Sequence, residues 1–154
     1  MPNANISGFL FKVKIYMKKV TEAVFESKKI RLTTMRILIY EYLETVTAAL
    51  SLAEIEKFFH KADKVTIYRT LQTFQEKGLV HKILDENVVK YKLCADSCGE
   101  DYHNDRHLHF YCKKCNETTC RDEIILPKSL EESFQIDEVQ ILVKGICEKC
   151  LKSV

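Results

Sequence analysis

Two Cys-x-x-Cys pairs, Cys112/Cys115 and Cys147/Cys150, bracket the last third of this chain. Each short loop can present both of its sulfurs to one ion, so four thiolates in two such knuckles can close a tetrahedral zinc site. Any fold that fills that site must bring the two ends of the segment together. Just before the first pair stands the run His107-Leu108-His109-Phe110-Tyr111-Cys112. His81, Cys94, Cys98, His103, His107, His109 and Cys120 are then left over, too many soft ligands for one structural ion. The surplus implies a second metal site, and with it a chain that senses metal.

The cysteine usage fits a reducing compartment, where paired Cys-x-x-Cys binds metal and does not form disulfides. The run Phe9–Met17 is apolar but carries Lys12 and Lys14, and no small-residue cleavage site follows it. It therefore reads as neither a signal peptide nor a membrane span. We expect a cytoplasmic protein with no membrane partner, in which Met17 is an alternative start and residues 1–19 form an N-terminal extension. The net charge of +2 hides an asymmetry: residues 1–93 carry 16 Lys/Arg against 10 Asp/Glu, whereas residues 94–154 carry 8 against 12. A basic half joined to an acidic, ligand-rich half suggests a polyanion-binding module attached to a regulatory one.

The basic half reads as helices followed by a ribbon. Residues 20–29 are an amphipathic helix candidate, and Thr33 or Thr34 can cap a second helix through about Leu43. Ser51-Leu52-Ala53-Glu54 is a capping box opening a third helix that ends near His60. Asp63 caps a fourth helix from Lys64 to Lys77, stopped by Gly78. In that helix Ile67, Leu71 and Phe74 make the core stripe. The opposite face carries Val65, Thr66, Arg69, Gln72 and Thr73, with Tyr68 on its flank. Hydroxyl, amide and guanidinium groups without Lys/Glu pairs are the side chains that read base edges and hold phosphate. Val80–Leu84 and Val88–Leu93 then flank the turn Asp85-Glu86-Asn87 as two strands. Together these elements predict a winged helix-turn-helix over residues 20–93.

Val65-Thr66-Ile67-Tyr68-Arg69-Thr70-Leu71 resembles the Thr-Val-Tyr-Arg-Thr-Leu signature of the ferric uptake regulator (Fur) family. Arg31-Leu32-Thr33-Thr34-Met35-Arg36 is similar to its Arg-x-Thr-x-x-Arg segment. His107-x-His109-x-x-Cys112-x-x-Cys115 and Gly145-Ile146-Cys147-x-x-Cys150 match its His-x-His-x-x-Cys-x-x-Cys and Gly-x-Cys-x-x-Cys motifs. The resemblance spans roughly residues 20–150 in family order and spacing. It implies an α+β fold, with an N-terminal winged helix-turn-helix domain, a hinge or insertion over 94–106, and a C-terminal α/β dimerisation domain over 107–154 with a structural zinc. Strands are expected near 107–112, 117–121 and 136–146, and a helix near 127–134. The implied function is a homodimeric, metal-dependent transcriptional repressor that binds an AT-rich inverted repeat in double-stranded DNA. Its DNA contacts would include Lys64, Thr66, Tyr68, Arg69 and Thr73.

The resemblance also implies the ligand sets. Cys112, Cys115, Cys147 and Cys150 would hold about one structural Zn2+ per chain. The regulatory site would draw on His81, Cys94, His109 and Cys120, with His107 as the leading substitute. Where iron and peroxide sensors commonly carry an acidic residue after the second wing aromatic, Tyr91 is followed here by Lys92. Cys94 then follows as in the Tyr-x-Leu-Cys of zinc uptake regulators, and Cys120 stands where a glutamate is common. Sulfur in place of oxygen favours zinc over Fe2+ or Mn2+. The expected regulator is therefore zinc-responsive, with zinc as corepressor of metal uptake genes; the alternative is an iron- or peroxide-responsive relative. Cys98 and His103 fall in an insertion with no family counterpart. No His-x-Glu or His-Glu-x-x-His pattern supplies the general base a catalytic zinc needs, so an enzyme is not expected.

Overall fold

The computed structural model describes residues 20–85, 88–94, 107–125 and 139–153, which build two modules. The first begins with α1 (20–27) and α2 (Thr34–Thr45), followed by β1 (Leu50–Ser51), α3 (Leu52–Phe58), α4 (Lys64–Glu76), β2 (Val80–Asp85) and β3 (Val88–Leu93). Each helix from α2 to α4 starts at the cap its sequence predicts. Thr33 Oγ1 accepts from the Arg36 amide, and Asp63 Oδ2 from the Thr66 amide. Ser51 and Glu54 close both arms of the capping box, satisfying two amides that have no partner within the helix. Helix α4 is closed off just past its end by Gly78, whose φ of 64° is open to glycine without strain. The Leu79 amide there reaches back to the Phe74 carbonyl and the Gly78 amide to that of Gln75, a Schellman closure that turns the chain directly into β2.

The ends differ slightly from the expected ones. Helix α2 runs two residues past Leu43, α3 stops at Phe58 before His60, and α4 stops one residue before Lys77. The short β1 had no periodic signal, because its two residues pair only with distant Tyr91 and Lys90. Phe25, Ile39, Leu43, Ile55, Ile67, Leu71 and Phe74 are fully buried and pack as one core, with Phe25 edge-on to Tyr40 and Phe74.

The second module is a three-stranded sheet of β4 (His107–Cys112), β5 (Thr118–Ile125) and β6 (Ile141–Gly145), closed by the short helix α5 (Glu148–Leu151). Strand β4 lies in the middle, antiparallel to β5 and parallel to β6. Strand β5 extends beyond the expected 117–121. The expected 127–134 helix, the wing tip 86–87, the segment 95–106 with Cys98 and His103, and the arm 1–19 lie outside the described residues.

The wing ribbon joins the modules. Its register sets His81 opposite Lys92, Ile83 opposite Lys90 and Asp85 opposite Val88. Directly opposed residues share a face of an antiparallel pair. One face therefore carries Val80, Tyr91 and Leu93 into or against the helical core. The other carries His81, Asp85, Lys90 and Lys92, and it packs against the β4–β6 module.

Candidate metal centres and DNA-reading face

The four cysteines of the two Cys-x-x-Cys pairs meet with all ligand atoms within 4.8 Å of one another. Cys112 ends β4 and Cys115 follows in a turn whose Asn116 amide returns to the Cys112 carbonyl. Across the sheet, the Lys113 amide bonds to Gly145 at the end of β6, which delivers Cys147 and Cys150 at the start of α5. A Cβ at Gly145 would stand 3.2 Å from the Phe110 ring, so the close approach of β6 to β4 favours glycine there. Backbone amides of Cys115 and Cys147 hold the Cys112 thiol down to about 6, favouring the thiolate a metal requires. The hydrogen bond with Cys147, burial and the remaining thiols push Cys150 up to about 12. Four sulfurs this close cannot all ionise without a cation among them.

A second cluster gathers His81 from β2, His107 and His109 from β4, and Cys120 from β5, again with ligand atoms within 4.8 Å. The i, i+2 spacing puts both β4 histidines on one face, and the register sets Cys120 directly opposite His109. His81 Nε2 lies 3.3 Å from His109 Nε2 and 3.5 Å from Cys120 Sγ. His81 and His109 are almost wholly buried. Cys94 stands on the other side of the His81 ring, with its Sγ 3.6 Å from Nδ1. The sequence reading placed Cys94 in the preferred set and His107 as substitute; the structure groups His107 with the other three and sets Cys94 behind His81.

These separations test the fit of a metal. Around tetrahedral zinc, ligand atoms sit roughly 3.3 Å apart for two nitrogens, 3.6 Å for nitrogen and sulfur, and 3.8 Å for two sulfurs. The observed 3.3 Å and 3.5 Å in the mixed cluster, and the 3.9 Å between Cys115 Sγ and Cys147 Sγ, match those edges. Both donor sets fit such an ion.

On α4, Lys64, Val65, Thr66, Tyr68 and Arg69 are exposed, while Thr73 is half-buried. The Thr73 hydroxyl donates to the Arg69 carbonyl and accepts from Arg36 Nη2, whose Nη1 donates to the Arg31 carbonyl. Lys64 pairs with Glu56 at 3.3 Å, and the Thr66 hydroxyl donates to Asp63.

The family model of the ferric uptake regulator family matches residues 27–144. This chain belongs to the ferric uptake regulator family. Fur-family proteins are transcriptional regulators and not enzymes, and the chain is a metal-dependent DNA-binding regulator. No curated protein sequence matches it. Among solved structures, a zinc uptake regulator complexed with zinc and DNA aligns with a TM-score of 0.65 at 20% identity, covering 89% of this chain and 96% of that one. The Vibrio cholerae ferric uptake regulator aligns at 0.57 and 18%, covering 81% and 98%. A zinc-bound manganese uptake regulator aligns at 0.56 and 16%, covering 82% and 98%. These likenesses span iron, zinc and manganese regulators and establish the Fur fold. No helix among the described residues is long and apolar enough to cross a membrane.

Asp85, expected in the wing turn, is instead the last residue of β2, and both it and Lys90, to which the sequence assigns no role, are buried. Once β2 reaches Asp85, the two-residue period of the ribbon puts both on the same face as His81.

Proposed function

We propose that this Fur-family chain is a zinc-responsive, homodimeric repressor of metal uptake genes with zinc as corepressor. The observation that carries this reading is the convergence of His81, from the wing, with His107, His109 and Cys120, from the second module. Three imidazoles and a thiol are a soft donor set, and among the described residues no carboxylate joins the cluster. In this reading Cys112, Cys115, Cys147 and Cys150 hold structural zinc, and Cys94 accepts from His81 Nδ1–H and fixes the tautomer that leaves Nε2 for metal. Half-exposed Leu108, Phe110 and Ile141, and Val143 with 41% of its surface open, lie on the sheet face opposite His109 and offer the apolar face for a second copy.

On DNA, Tyr68 and Arg69 would meet bases and phosphate in the major groove of an AT-rich inverted repeat, with Val65 against thymine methyls. Lys64 and Thr66 supply backbone contacts at the helix start. Thr73 works through Arg36, which it orients. Metal bridging the wing to the second module would fix the spacing of the two recognition helices, so the ordering cost falls on metal binding and not on DNA binding. The test counts Zn2+ per chain after reducing purification, saturation and desalting. Two tightly bound ions, with DNA retention that requires the second, support the reading. One ion, with DNA binding restored by Fe2+ or Mn2+, overturns the zinc assignment.

A further inference from the structure

Among the described residues the mixed cluster is one of several places where the wing meets the second module, and Gln140 also bonds both the amide and the carbonyl of Leu84. Asp85, 7% exposed, pairs with Lys144 of β6 at 2.8 Å. Lys90, 8% exposed, donates from Nζ to the Asn116 carbonyl and to Thr118 Oγ1, each at 2.9 Å. The same ammonium lies 5.0 Å from the centre of the Tyr111 ring, within reach of a cation–π contact. Burying an ammonium is costly unless several acceptors replace its water, and these three groups supply that replacement.

The partners of Lys90 belong to the cysteine knuckle. Asn116 follows Cys115, and its amide closes the turn onto the Cys112 carbonyl. Its φ of 61° aligns that turn, and its Oδ1 accepts from the Tyr111 hydroxyl at 2.8 Å. Thr118 is fully buried, and its carbonyl accepts from the Ala49 amide of the first module. The turn that shapes the four-cysteine site therefore also holds the wing.

We propose that Lys90 is a positioning residue for the regulatory cluster: gripped by the turn after the Cys112–Cys115 knuckle, it holds the wing where His81 meets His109 and Cys120, and so couples the four-cysteine site to metal affinity at the regulatory site. This rests on the proposed function, because it takes the mixed cluster to be the regulatory site. A metal that bridges two modules binds only the docked arrangement, so its apparent affinity scales with the fraction of molecules already docked. Lys90 raises that fraction without touching the ion.

The experiment is Zn2+ competition against a chromophoric chelator on the full-length, reduced protein, with total zinc counted separately. Lys90→Met keeps the length of the side chain and removes its charge. It should retain one tight zinc while affinity for the second falls about tenfold, the size of one charged hydrogen-bonding group. Lys82→Met makes the same charge change on an exposed residue of the same ribbon and should leave both affinities unchanged. Tyr111→Phe frees the Asn116 side chain and should weaken the second site by about threefold alone but have no further effect beside Lys90→Met, the non-additivity of groups acting through one contact. A purely structural role for Lys90 would give additive losses. Should Lys90→Met not fold, Thr118→Val removes one acceptor and is expected to lower second-site affinity by about threefold. Second-site affinity within twofold of wild type in the variant that folds, an equal fall in Lys82→Met, or additive losses would each overturn the coupling. A wild-type chain that holds only one zinc would instead remove the proposed function and the coupling with it.

Discussion

The two clusters use the same soft-ligand chemistry on different scaffolds. All four thiols of the first come from one module, where β4, its following turn and the entry to α5 are tied by main-chain bonds from Lys113 to Gly145 and from Asn116 to Cys112. The second exists only where a ribbon from the helical module brings His81 to a sheet from the other. An ion in the first joins parts that the sheet already holds in register. An ion in the second joins parts that could otherwise separate. Placement, more than ligand type, suits one cluster to be scaffold and the other to be sensor.

The strongest way to break this contrast is to remove a ligand from the scaffold. Cys112 is buried at the junction of β4 and the knuckle, and the Cys147 amide points at its sulfur from 3.3 Å. Structural zinc binding is folding free energy, so Cys112→Ser should lose that zinc together with cooperative folding of the second module. Zinc counting, circular dichroism and size-exclusion chromatography check this. A well-folded dimer with normal zinc content would show that the cluster is not a scaffold.

The next largest effect should come from His109→Ala. This histidine is 1% exposed, and its ring centre lies 5.3 Å from that of His81 and 4.6 Å from that of His107. Its loss should weaken the second zinc by at least about 100-fold while the first zinc and the fold remain, because the sheet register does not depend on the imidazole. Chelator competition reads the affinity, and thermal melting reads the fold. Loss of both ions would mean that the two clusters are one cooperative unit.

Much of this arrangement was legible in the sequence, for physical reasons that vary from place to place. Thr33, Ser51 and Asp63 announced their helices because a cap is a local hydrogen bond, decided within three residues. The stripe of Ile67, Leu71 and Phe74 gave the buried face of α4, and the paired cysteines gave the first cluster. Two things were harder to read. Strand β1 and the partners of Lys90 arise from contacts between residues far apart in the chain, for which no local period exists. The roles of His107 and Cys94 turn on which side of one imidazole each occupies, and only the meeting of β2 with β4 decides that.

Cys94→Ser should have the smallest effect of the three, and it is the most informative about the second cluster. Its sulfur faces His81 Nδ1, whereas Cys120 and His109 face Nε2. In the proposed reading one imidazole nitrogen binds metal while the other donates its proton outward, which would make Cys94, behind the ring, an orienting acceptor. A serine hydroxyl can also accept, so Cys94→Ser should lower second-site affinity by about tenfold at most, and Cys94→Ala by more, toward about 100-fold. If Cys94 were itself a ligand, serine and alanine would cost equally and heavily, because a neutral hydroxyl does not replace a thiolate. Cobalt substituted into the second site gives an independent answer through its sulfur-to-metal charge-transfer band. With Cys120 as the sole thiolate ligand, the intensity of one thiolate should persist in Cys94→Ser and vanish in Cys120→Ser. A fall to half in each variant would place two sulfurs on the ion and turn the His81 ring over.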